Sequence, residues 1–270
     1  MSIELKKPPI VEAWIGFNFE PAPNTTGWDK AGLERVTQFL REHASEFPEQ
    51  EQFRQESFTV EKRTPDGLPK QGRAESQVVF FRAIDQAKSR AVQIGTNVLS
   101  YHLLRASDSY PGFRKLRDDS LDELRCYSER FNPQALTQIE LHMIDLVAIP
   151  RPSNTNCQIE DYFAISLNIP SEPFGALDDF SIRLQLRGAT QEDRLHLHFH
   201  LLRAGSNETE FRFRIKWDMA CPVQMSVADR SQISARLDSA YQHLFNCFQS
   251  MFTERGWKLF EPVEATSQCS

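Results

Sequence analysis

The chain has 270 residues, of which 40% are hydrophobic and 25% are charged. This composition is typical of a folded globular protein and excludes a largely disordered chain. The formal net charge of −6 excludes a general attraction to nucleic acid or anionic membrane, so binding to either would need a local basic patch.

The cysteines and the hydropathy pattern both favour a cytoplasmic protein. The five cysteines are scattered and contain no Cys-x-x-Cys pair, which argues against a disulfide framework or a structural zinc site. No stretch approaches the roughly 18 apolar residues that span a bilayer. The first nine residues also lack an apolar run of the signal-peptide type.

The first half of the chain predicts a strand, a helix, several strands and a second long helix. Ile10–Phe19 alternates between apolar and polar residues after Pro8 and Pro9, as expected of a strand. A helix is expected over 28–47, with Asp29 near its start, because apolar residues recur at helical spacing. The remaining elements expected in this half are strands over 53–62, 77–84, 90–94 and 99–104 and a helix over 113–131.

The same order of elements then starts again. We expect a strand over 139–149, a short helical or extended piece over 161–167, and a final helix. Ser226 or Asp229 is expected to cap that helix, and Gly256 to mark its end. Between these elements, further strands are expected over 180–186, 195–202 and 211–217. The apolar stripe of the final helix consists of Ile233, Leu237, Ala240, Leu244, Cys247, Phe248 and Met251.

The repeated order predicts an α+β fold with an internal duplication. Each half reads as strand, helical or irregular piece, several antiparallel strands and a long helix. We expect an N-terminal half over 1–135, a C-terminal half over 136–262 and a flexible tail over 263–270. The predicted architecture is two curved antiparallel sheets, or one continuous sheet, with long helices on one face. Tandem sheets of the TATA-binding-protein kind and helix-grip folds both fit this description.

The most distinctive segment is the predicted strand 195–202, where His196, His198 and His200 alternate with apolar residues. Because side chains on a strand alternate between faces, the three histidines share one face. The two flanking strands repeat the pattern with arginine and lysine. If the three strands are adjacent, they form a locally basic face, called the basic face below. Its predicted members are Arg183, Arg187, His196, His198, His200, Arg212, Arg214 and Lys216.

Three interpretations of the basic face remain open. It is a candidate surface for an anionic partner, whether phosphate, nucleic acid or an acidic protein. It also fits an ordinary solvent-facing side of a sheet, where long polar residues are common. The third reading is a zinc site on His196 and His198, but three histidines along one strand span about 13 Å and cannot all reach one ion. We therefore predict no metal and no cofactor.

Enzyme signatures are missing from the sequence, which favours a non-catalytic protein and leaves no catalytic residue to name. There is no phosphate-binding glycine loop and no Gly-x-Ser-x-Gly turn. The acidic pairs Glu160-Asp161 and Asp178-Asp179 are expected to be solvated loop charges. Trp14 is expected to pack against the helices, with lining a pocket as its alternative.

The segment Pro8-Pro9-Ile10-Val11-Glu12-Ala13 and the strand that follows resemble the opening of a sporadically distributed, uncharacterised bacterial family of about this length. The closing helix around 244–253 is also similar to that family. The middle strand departs from the family pattern, which is closer to Arg-Tyr-x-Asn where this chain has 142–145. The resemblance carries over no catalytic residues. The family's patchy distribution implies an accessory gene of the phage-defence or toxin–antitoxin kind. Glu12 is expected to lie on an edge strand and to pair with a basic neighbour.

Three functions follow as hypotheses. The first is a non-enzymatic defence component that binds a neighbouring gene product, a phage component or another anionic ligand through the basic face. The second is a metal-assisted hydrolase or nuclease that uses His196 and His198. The third is a small-ligand or lipid binder with a cavity between sheet and helices, because phenylalanine is unusually common, at 20 residues.

Overall fold

One continuous antiparallel sheet organises the protein. The computed structural model describes residues 5–20, 28–59, 73–105, 110–150, 159–165, 180–202 and 210–262. These residues form nine strands in the order β2-β3-β4-β5-β1-β6-β9-β8-β7, and every neighbouring pair is antiparallel. The strands are β1 Ile10–Phe19, β2 Glu49–Thr59, β3 Arg73–Ile84, β4 Arg90–Gly95, β5 Val98–Leu104, β6 Leu136–Pro150, β7 Ser181–Arg187, β8 Arg194–Leu202 and β9 Glu210–Met225.

The strand order is symmetrical about the central pair, β1 and β6. On one side the order outward from the centre is β1, β5, β4, β3; on the other it is β6, β9, β8, β7. Each set is followed in the chain by a long helix, and β2 adds one further strand to the first side. The predicted α+β class with an antiparallel sheet is confirmed. The single sheet decides between the two arrangements that the sequence left open.

The helices cover one face of the sheet and bury its alternate residues. They are α1 Lys30–Glu42, α2 Phe113–Phe131, α3 Arg230–Ser250 and α4 Glu254–Lys258. Phe19 of β1 stacks on Tyr127 of α2, and Trp217 of β9 meets Phe248 of α3. Both strand residues belong to one hydrophobic core with the buried faces of the helices. The opposite side of the sheet, which these helices leave uncovered, is called the open face below.

The boundaries of α2 and the capping of α3 are confirmed. The helix α2 covers the expected 113–131. Asp229 is the N-cap of α3, where its carboxylate accepts a hydrogen bond from the Gln232 amide at 3.1 Å. Asp29 caps α1 in the same way, accepting from the Gly32 amide at 2.6 Å. Such caps satisfy amides that have no partner within the helix.

Two helix ends were predicted wrongly. The helix α1 stops at Glu42, and Phe47 is buried from the turn that follows, where its amide bonds the His43 carbonyl at 2.8 Å. The helix α3 stops at Ser250, so Gly256 does not end it but lies within α4. A Cβ at Gly256 would lie 2.0 Å from the Tyr162 carbonyl oxygen. Glycine is required there for a close approach between backbones.

Several expectations concern residues that the structure does not describe. These are the tail 263–270, the pair Asp178-Asp179, Cys157 and the last residues of the segment 161–167. The first residue of that segment, Asp161, is described and ends a short 3₁₀ turn, Ile159–Asp161. Within the described residues, Cys126, Cys221 and Cys247 are free thiols. None of the described helices is long and apolar enough to cross a membrane.

Candidate functional site on the open face of the sheet

The predicted members of the basic face lie on three strands that are adjacent in the sheet. The order β9-β8-β7 places β8 between its two chain neighbours. His198 stands opposite Arg183 on one side and Lys216 on the other. His200 stands opposite Arg214, one row further along. The adjacency on which the predicted face depends is therefore present.

Burial alternates along β8 and β9 as the period of two requires. On the side of the sheet that the helices cover, Leu195 and Phe199 of β8 and Ile215 of β9 are fully buried. Arg212 and Arg214, between the buried positions of β9, are exposed on the open face. The basic side chains thus point away from the hydrophobic core.

The expected core face of β7 is not buried. By the period of two, Leu184 and Leu186 belong to the core side of the strand, opposite Arg183 and Arg187, but they are 45% and 39% exposed. The helix α3 contacts β6 and β9, whereas β7 is the last strand of the sheet. Because the helix layer is centred on inner strands, the apolar residues of the edge strand stay only partly covered.

The open face of β7, β8 and β9 carries an excess of positive charge. Its cationic residues are Arg183, Arg187, Arg194, Arg212, Arg214 and Lys216, and its carboxylates on these strands are Glu210 and Asp218. Burial lowers the pKa of His198, and electrostatic interactions with Arg183, His200, Arg214 and Lys216 lower it further. An anion that approaches His198 would therefore encounter a positive electrostatic potential.

His198 also has neighbours that fix its orientation. Its Nε2 atom lies 2.6 Å from the Ser181 hydroxyl oxygen on β7. Its ring stacks on that of His200, with centroids 5.9 Å apart and planes inclined by 5°. The two imidazoles therefore lie side by side, His198 next to Arg183 and His200 next to Arg214.

The centre of the open face holds a stack of three rings that the sequence did not predict. Trp14 of β1 lies between His102 of β5 and His142 of β6, with centroid distances of 5.3 and 4.3 Å. The expectation that Trp14 packs against the helices was wrong. Its chain neighbours Ala13 and Ile15 occupy the core side, so the alternation of β1 turns Trp14 to the open face.

Carboxylates surround this ring stack and contact its two histidines. His142 contacts Asp218 through Nδ1 at 2.6 Å and Glu140 through Nε2 at 3.1 Å. Burial opposes a charge on His142, but the two carboxylates outweigh it and raise its pKa. Lys216 closes the cluster, with Nζ 3.1 Å from Asp218 Oδ2 and 5.9 Å from the Trp14 ring centroid. Lys216 therefore links the ring stack to the basic face.

Glu12 belongs to the same cluster. It was expected on an edge strand, but β1 lies at the centre of the sheet, between β5 and β6. Its expected basic partner is a histidine: Glu12 Oε1 lies 3.3 Å from His102 Nδ1. The hydrogen bond to His102 lowers the pKa of Glu12 in spite of its partial burial. Glu12 is thus held as a carboxylate beside the ring stack.

We expect Asp218→Asn to lower the pKa of His142, because it removes one of two carboxylates that favour the imidazolium. The pH titration of the His142 ring protons by nuclear magnetic resonance would measure it. Glu210→Gln, which changes a carboxylate at the far end of the same strand, is the control and should leave His142 unchanged. An unaltered His142 titration in Asp218→Asn would contradict the assigned pairing.

The arrangement of cationic side chains is suited to binding an anion. Arginine and lysine side chains recognise carboxylates and phosphates through charge-assisted hydrogen bonds. Among the described residues, no group of three or more His, Cys, Asp or Glu side chains is placed to hold a metal ion. His196 and His198 belong to no such group, so the geometry of the described residues gives no support to a zinc site on them.

The two parts of the open face differ in how far sequence could reveal them. The strands β7, β8 and β9 are consecutive in the chain, and their period-two pattern is visible directly. The ring stack unites residues of β5, β1 and β6, and β9 adds Asp218 and Lys216 around it, so the cluster joins distant parts of the chain. The alternation of β1 around Trp14 and that of Glu140 and His142 on β6 were visible, but the pairing of the two strands was not.

No family model matches the chain, and no curated protein matches it either. The family resemblance of the opening segment therefore stays a prediction. Function has to be inferred from the residues of the open face and from their contacts.

Proposed function

We propose that this protein is a non-enzymatic component of a bacterial accessory system of the anti-phage defence kind. In this proposal it binds an acidic protein partner, either a neighbouring gene product or a phage component, through the basic face. The observation that carries the proposal is the excess of exposed cationic side chains on three adjacent strands of an otherwise acidic chain.

The charge distribution supports a specific surface rather than general stickiness. A net charge of −6 repels anionic molecules from the protein as a whole. Partners of negative charge are therefore attracted to a local excess of positive charge, such as the basic face. This focusing favours one orientation of approach, and electrostatic complementarity of this kind contributes mainly to specificity and association rate.

The composition of the face favours an acidic protein over a nucleic acid. Arginine is enriched at protein interfaces. Nucleic-acid-binding sheets usually add aromatic side chains on which bases stack. On the open face, β7, β8 and β9 offer imidazoles but no Phe, Tyr or Trp, since Phe199, Phe213 and Trp217 point into the core. A nucleic acid is the alternative outcome of the experiment below.

We expect the triple variant Arg183→Glu, Arg212→Glu, Arg214→Glu to stay folded but lose its partner and its protective activity. The three arginines are exposed, so the substitutions leave the core intact. Tagged wild type and variant would be purified from the host before and after phage infection. Proteins and nucleic acids that come with them would then be identified, and plaque counts would measure protection.

The matched control places the same charge change on the helix side of the molecule. Arg125→Glu, Arg230→Glu, Arg255→Glu alters three arginines whose side chains are 61%, 49% and 61% exposed. This control should keep both partner and protection. Full protection in the triple variant of the basic face would refute the proposal. If a nucleic acid co-purified in place of a protein, the partner of the basic face would be a nucleic acid.

The family resemblance adds the cellular context to the proposal. The opening motif, with Pro8, Pro9 and Glu12, is similar to that of a patchily distributed bacterial family, and such distribution is typical of defence or toxin–antitoxin genes. Phage plating efficiency with and without the gene would test this part separately. Equal plating efficiency across a broad phage panel would count against a defence role while leaving the binding surface open.

We also propose that the halves 1–135 and 136–262 arose by duplication. The symmetrical strand order about β1 and β6, with a long helix after each set, supports it. A tandem sheet of the TATA-binding-protein kind fits this order, and a helix-grip origin is the alternative. Superposition of β1, β3–β5 and α2 on β6–β9 and α3 tests the proposal. Failure of the helices to coincide after the strands are matched would contradict it.

A further inference from the structure

A cavity of about 220 Å³ lies on the helix side of the sheet, between the start of β1, the strand β6 and the helices α2 and α3. Most of its lining is apolar, including Pro8, Pro9, Met143, Phe245 and Phe248. An apolar cavity of roughly 150 Å³ accommodates benzene. This larger space therefore suits a molecule of about ten non-hydrogen atoms.

A carboxyl group is buried in this apolar space. Asp145 occupies a core-facing position of β6, between Met143 and Val147, and is 2% exposed. Trp217 Nε1 donates a hydrogen bond to its Oδ2 at 3.0 Å. Among the described residues, no cation and no second donor reaches this carboxyl. Ionising a buried carboxyl group without a counter-charge is costly, so a cationic group in the cavity would stabilise its carboxylate form.

A second polar group in the same cavity also lacks a partner. The Tyr110 hydroxyl oxygen is buried and makes no hydrogen bond within the described part of the chain. Tyr110 as a residue is partly exposed, so its hydroxyl points inward while part of the ring reaches the surface. Buried polar groups in native proteins are normally satisfied, and a bound molecule is one way to satisfy them.

The aromatic walls narrow the class of molecule further. Phe113 of α2 stacks on Tyr241 of α3 with centroids 3.9 Å apart and planes inclined by 1°, and both rings line the cavity. Phe245 and Phe248 add two more rings. Aromatic faces attract organic cations and also pack well against a flat apolar body.

We propose that this cavity binds a small amine with an aromatic or compact apolar body, whose ammonium group pairs with Asp145 and whose N–H groups also donate to the Tyr110 hydroxyl. A cation suits the site better than a neutral alcohol because it supplies the counter-charge that Asp145 lacks. The apolar body fills the space between Met143 and the phenylalanines. This site is independent of the basic face, which lies on the opposite side of the sheet.

The test compares 2-phenylethylamine with 2-phenylethanol, two probes of equal size that differ in the charged group. Isothermal titration calorimetry on the whole protein measures their dissociation constants. We expect the amine to bind roughly 10- to 100-fold more tightly than the alcohol, the difference typical of a hydrogen bond with a charged group. Asp145→Asn should abolish that preference, because the amide cannot balance the ammonium.

Tyr110→Phe supplies a second variant that leaves Asp145 in place. We expect it to weaken amine binding roughly 10- to 100-fold, the range for a hydrogen bond that involves a charged group. Tyr127→Phe is the matched control, because Tyr127 is a buried tyrosine outside the cavity. That control should leave binding unchanged. Equal affinity for amine and alcohol, undiminished amine binding in Asp145→Asn or Tyr110→Phe, or no binding of the amine would each overturn the proposal.

Discussion

Arg236→Met is expected to lower the free energy of unfolding by about 3–5 kcal/mol, because it leaves a buried carboxylate without its counter-charge. Asp193 lies in the turn before β8 and is fully buried. Its carboxylate forms an ion pair with Arg236 of α3 and accepts a hydrogen bond from the Thr190 amide at 2.8 Å. Methionine retains the apolar stem of arginine, so the loss reports mainly on charge.

Urea denaturation at neutral pH would measure this loss. The matched control is Arg230→Met on the same helix. Arg230 pairs with Asp122 at 2.8 Å, but both side chains are about half exposed or more. Removing such a surface pair typically costs no more than about 1 kcal/mol. Adding Asp193→Asn to Arg236→Met should recover part of the loss. Equal destabilisation by the two methionine variants would show that burial of Asp193 is not decisive.

Local patterns in the sequence predict most elements of this fold, but not their arrangement. The helix α2 was bounded correctly because its apolar residues recur at helical spacing throughout. The end of α1 was placed too far along because Phe47 continues that spacing, although it is buried from a turn. Local periodicity cannot tell a buried turn residue from one more turn of helix.

The order of strands depends on contacts between distant residues, which no local pattern reveals. The central pair joins Trp14 to His142, and its formation places the two halves of the sheet side by side. Once that pairing is known, the alternation of each strand predicts the whole open face. The basic face needed no such knowledge, since β7, β8 and β9 are joined in sequence as well as in space.

The cavity illustrates a signal that was present in the sequence but had no context. Asp145 interrupts the apolar alternation of β6 at a core-facing position. Such an interruption usually indicates a bulge, a turn or a buried site. Only the packing of α3, Pro8 and Pro9 around Asp145 shows that the interruption marks a buried site. The burial of Asp145 has a measurable effect on stability even without a ligand.

Asp145→Asn is expected to remove a large pH dependence of stability. Burial raises the pKa of Asp145 to about 7, from an ordinary value of 3.8, against a smaller opposing effect of the Trp217 hydrogen bond. Between these two values the folded state retains a proton that the unfolded state releases. The free energy of unfolding therefore falls as pH rises through this window, by up to about 4 kcal/mol in all. Asparagine does not titrate, and its carbonyl can still accept from Trp217.

Urea denaturation of both proteins between pH 4 and 8 would test this expectation. Near pH 4 the two stabilities should be similar, and near pH 7.5 the asparagine variant should be the more stable by several kcal/mol. Other groups also titrate: burial raises the pKa of Glu123 to about 6, and those of Glu140 and Asp218 are lowered. Their contributions are common to both proteins and cancel in the difference. If the free energies of unfolding of the two proteins differed by the same amount at every pH, Asp145 would be ionised in the folded protein across this range. The cavity would then have to stabilise a buried carboxylate with protein groups alone.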